Sequence, residues 1–524
     1  MISELGYAKR KRKKAVRISG LTALLLALFI SAIIPGIAWG DEKVGPEQVI
    51  LTWNGDPAVT QAITWLSPDR EADKLQYVKA ADFSGEFTAA RQADAVREQF
   101  AGSDKYRFTV TLIGLDPDTQ YCYRVGRDGA WSENFSFSTS ATPDDFAFLY
   151  LGDVQEGYLE WGNMVEEIYR ENPEIRFALL GGDLTNHGED VNEWGEFLSA
   201  AAGVFSQIPM MPAKGNHDGN LFLDFFALPE NGPPGVIGSC FYSFDYGDAH
   251  FVVLDTSNVI TDNVKQWLQQ DLQNTDKKWK FAIFHHPPYQ NFDDYKTIDD
   301  ALREHWVPIL EQNQVDMVFV GHQHVYMRTH PIFQSEVQSD SYGIVYVMGN
   351  SGSKHYALGQ GSPYIAMEQT GSNYQLIEIK GDVLTLTSRK SSGELIEIYT
   401  VNQGDLPGEE DKPHYTVHPD AADPTYIVGT TEQGICTMTV NAGISGFRYF
   451  TVSIEPEVAH QGKETVVFTH FRNGSLLHIN ATWADFDQIN VAQAGFNVQG
   501  GDVVKAIIVD DLTSADNQNP VILQ

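Results

Sequence analysis

The sequence predicts a multidomain protein with a central α/β domain between two smaller β domains. At 524 residues the chain is longer than one hydrophobic core usually supports. Short strands separated by turn residues fill residues 44–140, and similar β-type runs return over residues 425–524. Between them, over residues 146–401, buried-type strands alternate with helix-length segments, which is the pattern of α/β domains.

Residues 1–40 differ in kind from the rest of the chain. A basic head (KRKRKK) precedes the apolar run LTALLLALFISAIIPGIA, and the small residues Ala38 and Gly40 come just before Asp41. This order predicts a signal peptide that is cleaved after residue 40, and therefore a secreted, extracellular protein. An uncleaved anchor that keeps the protein at the cell surface stays open, since an apolar run of 18 residues can just span a bilayer.

The first β domain, residues 44–140, reads as a β-sandwich. Its strand candidates are QVILTWN, QAITWLS, YRFTVTL, QYCYRVG and ENFSFST. The stretch LIGLDPDTQYCYRV resembles the late strands of a fibronectin type III domain. An acidic, Pro-rich linker is expected over residues 402–424, followed by a second small sandwich of unknown role over residues 425–524.

Charge and cysteine content exclude several classes of function. The formal net charge is −34, and it becomes −40 without residues 1–40. A surface this acidic repels phosphate backbones, so the sequence predicts no nucleic-acid binding, and attraction for an anionic substrate has to be local. Three cysteines are too few for a disulfide framework or a cysteine zinc site.

The strands of the central domain deliver polar clusters at their carboxyl ends. In chain order these are GDVQ, GDLTN, GNHD, HHP and GHQH. Open α/β sheets bind ligands at the carboxyl ends of their strands, and carboxylate, imidazole and amide oxygen together suit Zn, Fe or Mn. Each cluster alone is compatible with an ordinary turn, but five in this position predict a metal site.

This ordered set resembles the calcineurin-like metallophosphoesterase superfamily, whose pattern is D-x-H, GD-x-x-(D/N/Y), GNH-(D/E), a later His and GH-x-H. The stretches ILTWNGDPAVTQAITW, GLDPDTQYCYRVG and GHQHVYMRT are similar to its purple acid phosphatase branch. The resemblance covers about residues 45–400 and does not extend to residues 425–524. It implies an αββα sandwich with two metal ions, Mn, Zn or Fe, that clamp a phosphate and acidify a water molecule.

The resemblance also implies a ligand set in which Asp183 bridges the two ions. The remaining ligands are Asp153 and His324 for the first position, and Asn216, His285 and His322 for the second. His285 is preferred to His286 because the family's pattern is His-x-Pro. His286 is then expected to support a ligand or to face the substrate.

The chain departs from the family at two positions. Purple acid phosphatases place a tyrosinate three residues after the bridging Asp, where this chain has Asn186. Other members place a His two residues after the first Asp, where this chain has Gln155, which supplies either an amide oxygen or a position for water. Losing these ligands weakens the case for ferric iron, so we expect a colourless protein that uses Mn, Zn or Fe(II).

The remaining site candidates are not metal ligands in this scheme. His217 is expected to donate a proton to the leaving oxygen, with Asp218 holding its imidazole charged and oriented. Arg328 and Lys214 are candidates for contact with the anionic substrate, although each also reads as an ordinary structural or surface charge.

The predicted function is a secreted phosphoric ester hydrolase that uses a metal-bound hydroxide and acts on monoesters or diesters. The partner is a phosphate ester, with no stable membrane span once the signal is removed and with the oligomeric state open. The alternative is a catalytically weak or inactive binding protein at the cell surface that retains the fold, because Gln155 and Asn186 depart from the pattern.

Overall fold

The structure is a computed structural model. It describes residues 45–100, 103–140, 145–236, 240–257, 260–292, 296–338, 343–403, 414–431, 435–457 and 463–509. The predicted signal peptide, residues 1–40, lies outside these ranges. Within them no helix is both long enough and apolar enough to cross a membrane.

The chain divides into two compact units, Met1–Val401 and Asn402–Gln524. The first unit holds a β domain and an α/β domain, and the second is a β domain of its own. The fold class predicted from the sequence is therefore confirmed: an α/β domain with two stacked sheets in a multidomain chain.

The N-terminal domain is a β-sandwich. Its sheets have the strand orders β1-β2-β6-β5 and β4-β3-β7-β8, with β9 also paired to β7. The strands are β1 Glu47–Thr52, β2 Thr60–Ser67, β3 Lys74–Lys79, β4 Arg91–Asp94, β5 Val96–Gln99, β6 Tyr106–Ile113, β7 Gln120–Arg127, β8 Ala130–Trp131 and β9 Phe135–Ser138. Alternate apolar residues of both sheets, among them Trp65, Phe108 and Tyr123, fill the space between them.

The second domain stacks two larger sheets. Their strand orders are β12-β11-β10-β22-β23-β24 and β13-β14-β15-β16-β20-β17-β21, and a small β18-β19 hairpin lies apart. The strands are β10 Asp145–Leu151, β11 Ile175–Leu180, β12 Met210–Pro212, β13 Tyr242–Tyr246, β14 Ala249–Val253, β15 Trp279–Ile283, β16 Met317–Val320, β17 Val325–Thr329, β18 Ile332–Phe333, β19 Glu336–Val337, β20 Val345–Met348, β21 Ile365–Thr370, β22 Asn373–Lys380, β23 Val383–Lys390 and β24 Leu395–Asn402.

Helices connect the parallel strands of this domain. They are α1 Tyr158–Glu171, α2 Val191–Ala200, α3 Ala202–Phe205, α4 Phe222–Phe225, α5 Asp262–Gln273, α6 Lys296–His305 and α7 Val307–Gln312. Two helical segments are interrupted, one at Ala201 between α2 and α3 and one at Trp306 between α6 and α7, and Pro308 lies in the first turn of α7. Proline is tolerated there because the first helical residues need no N–H donor.

The strand directions explain why the polar clusters meet. Strands β10, β11 and β12 run parallel in one sheet, and β14, β15, β16 and β20 run parallel in the other. Rings such as Phe148, Phe281 and Phe319 pack between the sheets. A bridge between Asp153 and Asn350 joins the carboxyl ends of β10 and β20, so both sheets contribute loops to one edge.

The N-terminal domain shares part of its core with the α/β domain. Trp53, which is 1% exposed, lies 5.3 Å from Phe177 and 5.3 Å from Tyr246 between ring centroids. The Tyr123 hydroxyl donates to the Ser206 carbonyl at 2.8 Å. These contacts make residues 45–401 a single packed body.

The C-terminal unit is a second β-sandwich, with the sheets β25-β28-β31 and β26-β27-β32-β29-β30. Its strands are β25 Tyr415–Pro419, β26 Tyr426–Thr430, β27 Cys436–Val440, β28 Ser445–Pro456, β29 Glu464–Arg472, β30 Ser475–Ala484, β31 Val491–Gln499 and β32 Val503–Val509. Strand β25 lies inside the segment expected as a linker, and it pairs with β28. The sandwich therefore begins earlier than residue 425. Its first strand lies within a segment whose acidic, Pro-rich composition is typical of a linker.

Candidate metal centre

The second metal position is formed by side chains from three loops. The Asn216 Oδ1 atom, after β12, lies 3.1 Å from His285 Nε2 and 3.2 Å from His322 Nδ1. The two imidazole nitrogens are 3.3 Å apart, and His285 Nε2 is 3.2 Å from Asp183 Oδ2. Donors that share one ion at about 2.0–2.2 Å sit about 3.0–3.5 Å from each other, so these four side chains fit a single cation.

The first metal position shares Asp183 with the second. Asp153, Asp183 and His324 bring ligand atoms within 4.8 Å of one another, as do Asp183, His285 and His322. The distance from His324 Nε2 to Asp153 Oδ1 is 3.7 Å. Two donor clusters joined by one carboxylate are the arrangement expected for two ions about 3.5–4 Å apart.

Backbone carbonyls fix which ring nitrogen of two histidines faces the centre. His285 donates from Nδ1 to the Gly181 carbonyl at 3.0 Å, and His324 donates from Nδ1 to the Lys354 carbonyl at 3.2 Å. In both rings Nε2 therefore faces the carboxylates, Asp183 for His285 and Asp153 for His324. Histidine ligands are usually held in this way, with the other ring nitrogen donating to a carbonyl or carboxylate. The donor set therefore fits a pair of Mn, Zn or Fe ions.

The electrostatics of the buried site favour bound cations. Burial and neighbouring imidazoles lower the pKa of His322 to about 2 and that of His286 to about 3, so both rings are neutral. Burial raises the pKa of Asp153. Burial also acts to raise the pKa of Asp183, but the charge and the hydrogen bond of His285 outweigh burial there and lower the pKa of Asp183. At the ligand His285, burial lowers the pKa, but Asp183 and Asp153 outweigh burial and raise the pKa to about 10, so a cation that binds there displaces a proton from this ring.

The backbone at the ligands is unusually constrained. Asp183, His322 and His324 have φ values of 50°, 77° and 48°, the left-handed region that residues other than Gly rarely adopt. A Cβ atom at Gly215 would lie 2.1 Å from the Asp183 nitrogen and 2.2 Å from its Oδ1. Glycine at position 215 is therefore required by the close approach of two ligand loops.

Gln155 does not fill the ligand role expected as one option from the sequence. Its Nε2 donates to Asp183 Oδ2 at 3.0 Å, and its Oε1 accepts from Lys354 Nζ at 2.9 Å. Because its amide oxygen is taken by an ammonium group, Gln155 holds the bridging carboxylate instead of coordinating an ion.

His217 is placed as expected for a proton donor, but its partner is different. The His217 backbone N–H donates to Asp183 Oδ1 at 2.9 Å, and its ring donates from Nδ1 to the Asn186 carbonyl at 2.9 Å. Nε2 is thus the nitrogen that carries the transferable proton.

The prediction that Asp218 orients this imidazole is wrong. Its buried carboxylate accepts backbone N–H groups of Leu184 at 2.7 Å, Thr185 at 3.2 Å and Gly215 at 2.7 Å. Adjacent residues in a tight turn point in different directions, and Asp218 points into the loop that carries Asp183. It joins two ligand loops.

Arg328 is also not a substrate contact. Its guanidinium makes a bidentate pair with Glu397, at 3.0 and 2.8 Å, and lies 4.0 Å from the Tyr399 ring centroid. It is 9% exposed, so it ties β17 to β24 in the interior. Lys214, 8% exposed, is also buried.

The two remaining candidates lie at the margin of the centre. His286 hydrogen-bonds through Nδ1 to the Thr256 hydroxyl at 2.8 Å, and its ring lies 4.3 Å from that of His322 between centroids. Asn186 contributes its backbone carbonyl to His217, and its N–H donates to Glu193 at 2.6 Å. Asn186 thus supports the proton donor.

The loop after β20 also contributes to the centre, and it was not predicted from the sequence. Asn350 and Ser351 follow this strand in the same way as the other clusters, in the stretch GNSGSK, which ends at Lys354. The Ser351 N–H donates to the Asp153 carbonyl at 2.9 Å. The sequence signal is a glycine followed by polar residues directly after a buried strand. The same loop brings Lys354 to the first metal position.

Comparison with known proteins agrees with this geometry. Residues 46–139 match the model of the purple acid phosphatase N-terminal domain, and residues 146–326 match that of the calcineurin-like phosphoesterases. Residues 46–326 therefore belong to the purple acid phosphatase-like branch of the calcineurin-like metallophosphoesterases. Because this is a phosphoesterase family, the chain is an enzyme of the metal-dependent phosphoesterase class.

Individual relatives are distant from this chain. Purple acid phosphatase 23 of Arabidopsis thaliana is 27% identical over 59% of this chain and 77% of its own length. An uncharacterized protein of Mycobacterium tuberculosis is 26% identical over 42% of this chain and half of its own length. One Arabidopsis relative at 23% identity, over 58% of this chain and 56% of its own length, is named "Probable inactive purple acid phosphatase 27".

Among solved structures, a purple acid phosphatase from yellow lupin seeds has the same fold. It has a TM-score of 0.58 and 18% identity, and the match covers 68% of this chain and 74% of the lupin chain.

Proposed function

We propose that this chain is an exported hydrolase of phosphoric esters that works with two metal ions. The observation that carries the proposal is the pair of donor clusters joined by Asp183, with the His217 amide bonded to the same carboxylate. Two bound cations supply positive charge for the phosphate and lower the pKa of a water molecule. Mn, Zn or Fe(II) suits this centre, and the protein is colourless because Asn186 takes the place of a tyrosinate.

The side chains of this protein divide the remaining work. Asp183 keeps the two positions at a fixed separation, and Gln155 holds one of its oxygens in place. His217 presents Nε2 to the leaving oxygen and releases a proton to it, while its Nδ1 stays bonded to the Asn186 carbonyl. General-acid catalysis of this kind typically contributes about 10²–10⁴-fold to the rate.

The direct test is release of nitrophenol from mono- and bis-nitrophenyl phosphate by the chain without residues 1–40, supplied with Mn, Zn or Fe(II). Turnover of either ester supports the hydrolase and identifies its preference. Export is tested separately, by locating the full chain in its host and sequencing its N-terminus. An N-terminus at Asp41 supports cleavage of the signal.

A catalytically inactive binding protein is the competing function, and a single variant separates the two. In His217→Ala we expect turnover to fall about 10²–10⁴-fold while two metal ions per chain are retained. His187→Ala is the matched control, because that imidazole is exposed on the neighbouring loop. Two bound ions with no turnover of any ester in the unchanged protein would instead favour the binding protein.

A further inference from the structure

The loop after β20 brings an ammonium group to the first metal position. Lys354 is partly exposed, and its Nζ donates to Gln155 Oε1 at 2.9 Å, while Gln155 Nε2 donates to the bridging Asp183 at 3.0 Å. The Lys354 carbonyl accepts from His324, a ligand of the same position. Lys354 thus contacts two residues of this position, Gln155 through its side chain and His324 through its main chain.

The placement of Lys354 is built into the fold. Its carbonyl also accepts from the buried Asn350 side chain at 2.9 Å. A Cβ atom at Gly352 would lie 1.4 Å from the Val154 carbonyl oxygen, so this loop is pressed against the segment that carries Asp153 and Gln155. The ammonium group is therefore held at a defined place instead of sampling solvent on a long side chain.

The charge of Lys354 is of the right sign and is otherwise lightly used. Its ammonium contacts the neutral Gln155 amide and lies 5.8 Å from the Tyr356 ring centroid. Arg328, by contrast, is neutralised by Glu397. An ammonium with three donors, one of them directed to an amide oxygen, retains the capacity to bind an anion beside the centre.

We propose that Lys354 is a specificity-determining residue that contacts an unesterified oxygen of a phosphomonoester at the first metal position. The inference rests on the proposed hydrolase function and deepens it. A monoester carries one more charged oxygen than a diester, so an ammonium group beyond the two ions distinguishes them.

The test compares Lys354→Met with the unchanged protein, both without residues 1–40 and loaded with Mn. The methionine keeps the backbone carbonyl that accepts from His324. We expect inorganic phosphate to bind roughly 10- to 100-fold more weakly in calorimetry, as when a charge-assisted hydrogen bond is lost. We expect kcat/KM for nitrophenyl phosphate to fall by a similar factor, and that for bis-nitrophenyl phosphate by less than about 3-fold.

Two further variants complete the design. Lys354→Arg keeps the charge and is expected to retain phosphate binding within about 3-fold. Lys380→Met is the matched control, because Lys380 lies opposite Asp145, at the start of β10, and its side chain pairs with Glu378 on the surface. This variant should change nothing. Metal content is measured for every variant.

Each result decides between the alternatives. Unchanged phosphate binding in Lys354→Met, an equal loss for both esters, or loss of a metal ion would overturn the inference, the last by showing that Lys354 only supports the centre through Gln155. Phosphate binding is measured at equilibrium, so it tests Lys354 even when no ester is turned over. Absent turnover in the unchanged protein would count against the hydrolase itself.

Discussion

The two metal positions differ in how completely the chain surrounds them. The second position has four donors, which are Asp183, Asn216, His285 and His322, whereas the first has three, which are Asp153, Asp183 and His324. At the first position, Gln155 occupies the place of the further ligand in the family pattern, and it accepts a hydrogen bond from Lys354. Since a neighbouring ammonium also repels cations, we expect the second ion to bind more tightly than the first.

The largest effect is expected where the two positions meet. Asp183→Asn removes the bridging charge, so both ions should be lost and turnover should fall on the order of 10³-fold or more, beyond the effect of removing one oxyanion donor. Metal analysis and the nitrophenol assay check this. Asp190→Asn is the control, because Asp190 caps α2 and asparagine also caps helices. Retention of two ions in Asp183→Asn would contradict the shared bridge.

Removing one histidine from each position tests directly whether the two positions differ in metal affinity. His285→Ala should weaken the tighter site by more than about 100-fold, a larger change than loss of a group that only orients a ligand. His324→Ala should leave the tighter site intact and abolish the weaker one. A two-step metal titration distinguishes the two variants. Equal loss of both ions in each variant would show that the positions are inseparable.

Adding a ligand should make the positions more alike. Gln155→His places an imidazole where the family pattern has one, and it removes the amide that Lys354 contacts. We expect the weaker affinity to rise roughly 10-fold, at the lower end of the range for groups around a metal. The same titration measures this. If the metal affinity of the first position did not change, Gln155 would not be the reason why this position binds its ion more weakly than the second.

The smallest effect on metal binding is expected at a remote histidine, and it serves as a test of pH dependence. Burial lowers the pKa of His250, but hydrogen bonds to Asp245 at 2.7 Å and Asp271 at 2.8 Å outweigh it and raise the pKa to about 9. Because the folded-state pKa is raised, the stability that this ion pair supplies is complete below about pH 6.5 and is lost as the pH rises through 9.

His250→Gln should therefore lower the free energy of unfolding by about 2 kcal/mol at pH 6, allowing for screening at the half-exposed Asp245, and by little at pH 9.5. Calorimetric unfolding across this pH range measures the difference, with metal content as the control. A difference that grows with pH would have the wrong sign for a protonated His250.

The strand-end clusters allowed the fold and most of the centre to be predicted. A glycine followed by polar residues at the end of a buried strand can be recognised from neighbouring residues alone, as in GD, GNH and GHxH. The residues whose roles stayed open in the sequence depend on partners far along the chain. Gln155 meets Lys354 across 199 positions and Arg328 meets Glu397 across 69, and neither partner is visible from local spacing.

Asp218 shows a different limit. A His-Asp pair suggests mutual contact in sequence, but the turn directs the carboxylate to the N–H groups of Leu184 and Thr185. Side-chain direction in a turn follows from backbone dihedrals, which single-sequence patterns do not supply.

The packing of Trp53 against aromatic rings of the second domain determines the smallest fragment that should be produced. A chain that began at residue 145 would lack the Trp53 side chain and would expose the rings of Phe177 and Tyr246 to water. Such a truncated catalytic fragment is expected to aggregate, whereas a fragment of residues 45–401 keeps these rings covered. Recombinant work on this enzyme, and any exchange of its domains with a relative's, should therefore move both domains together.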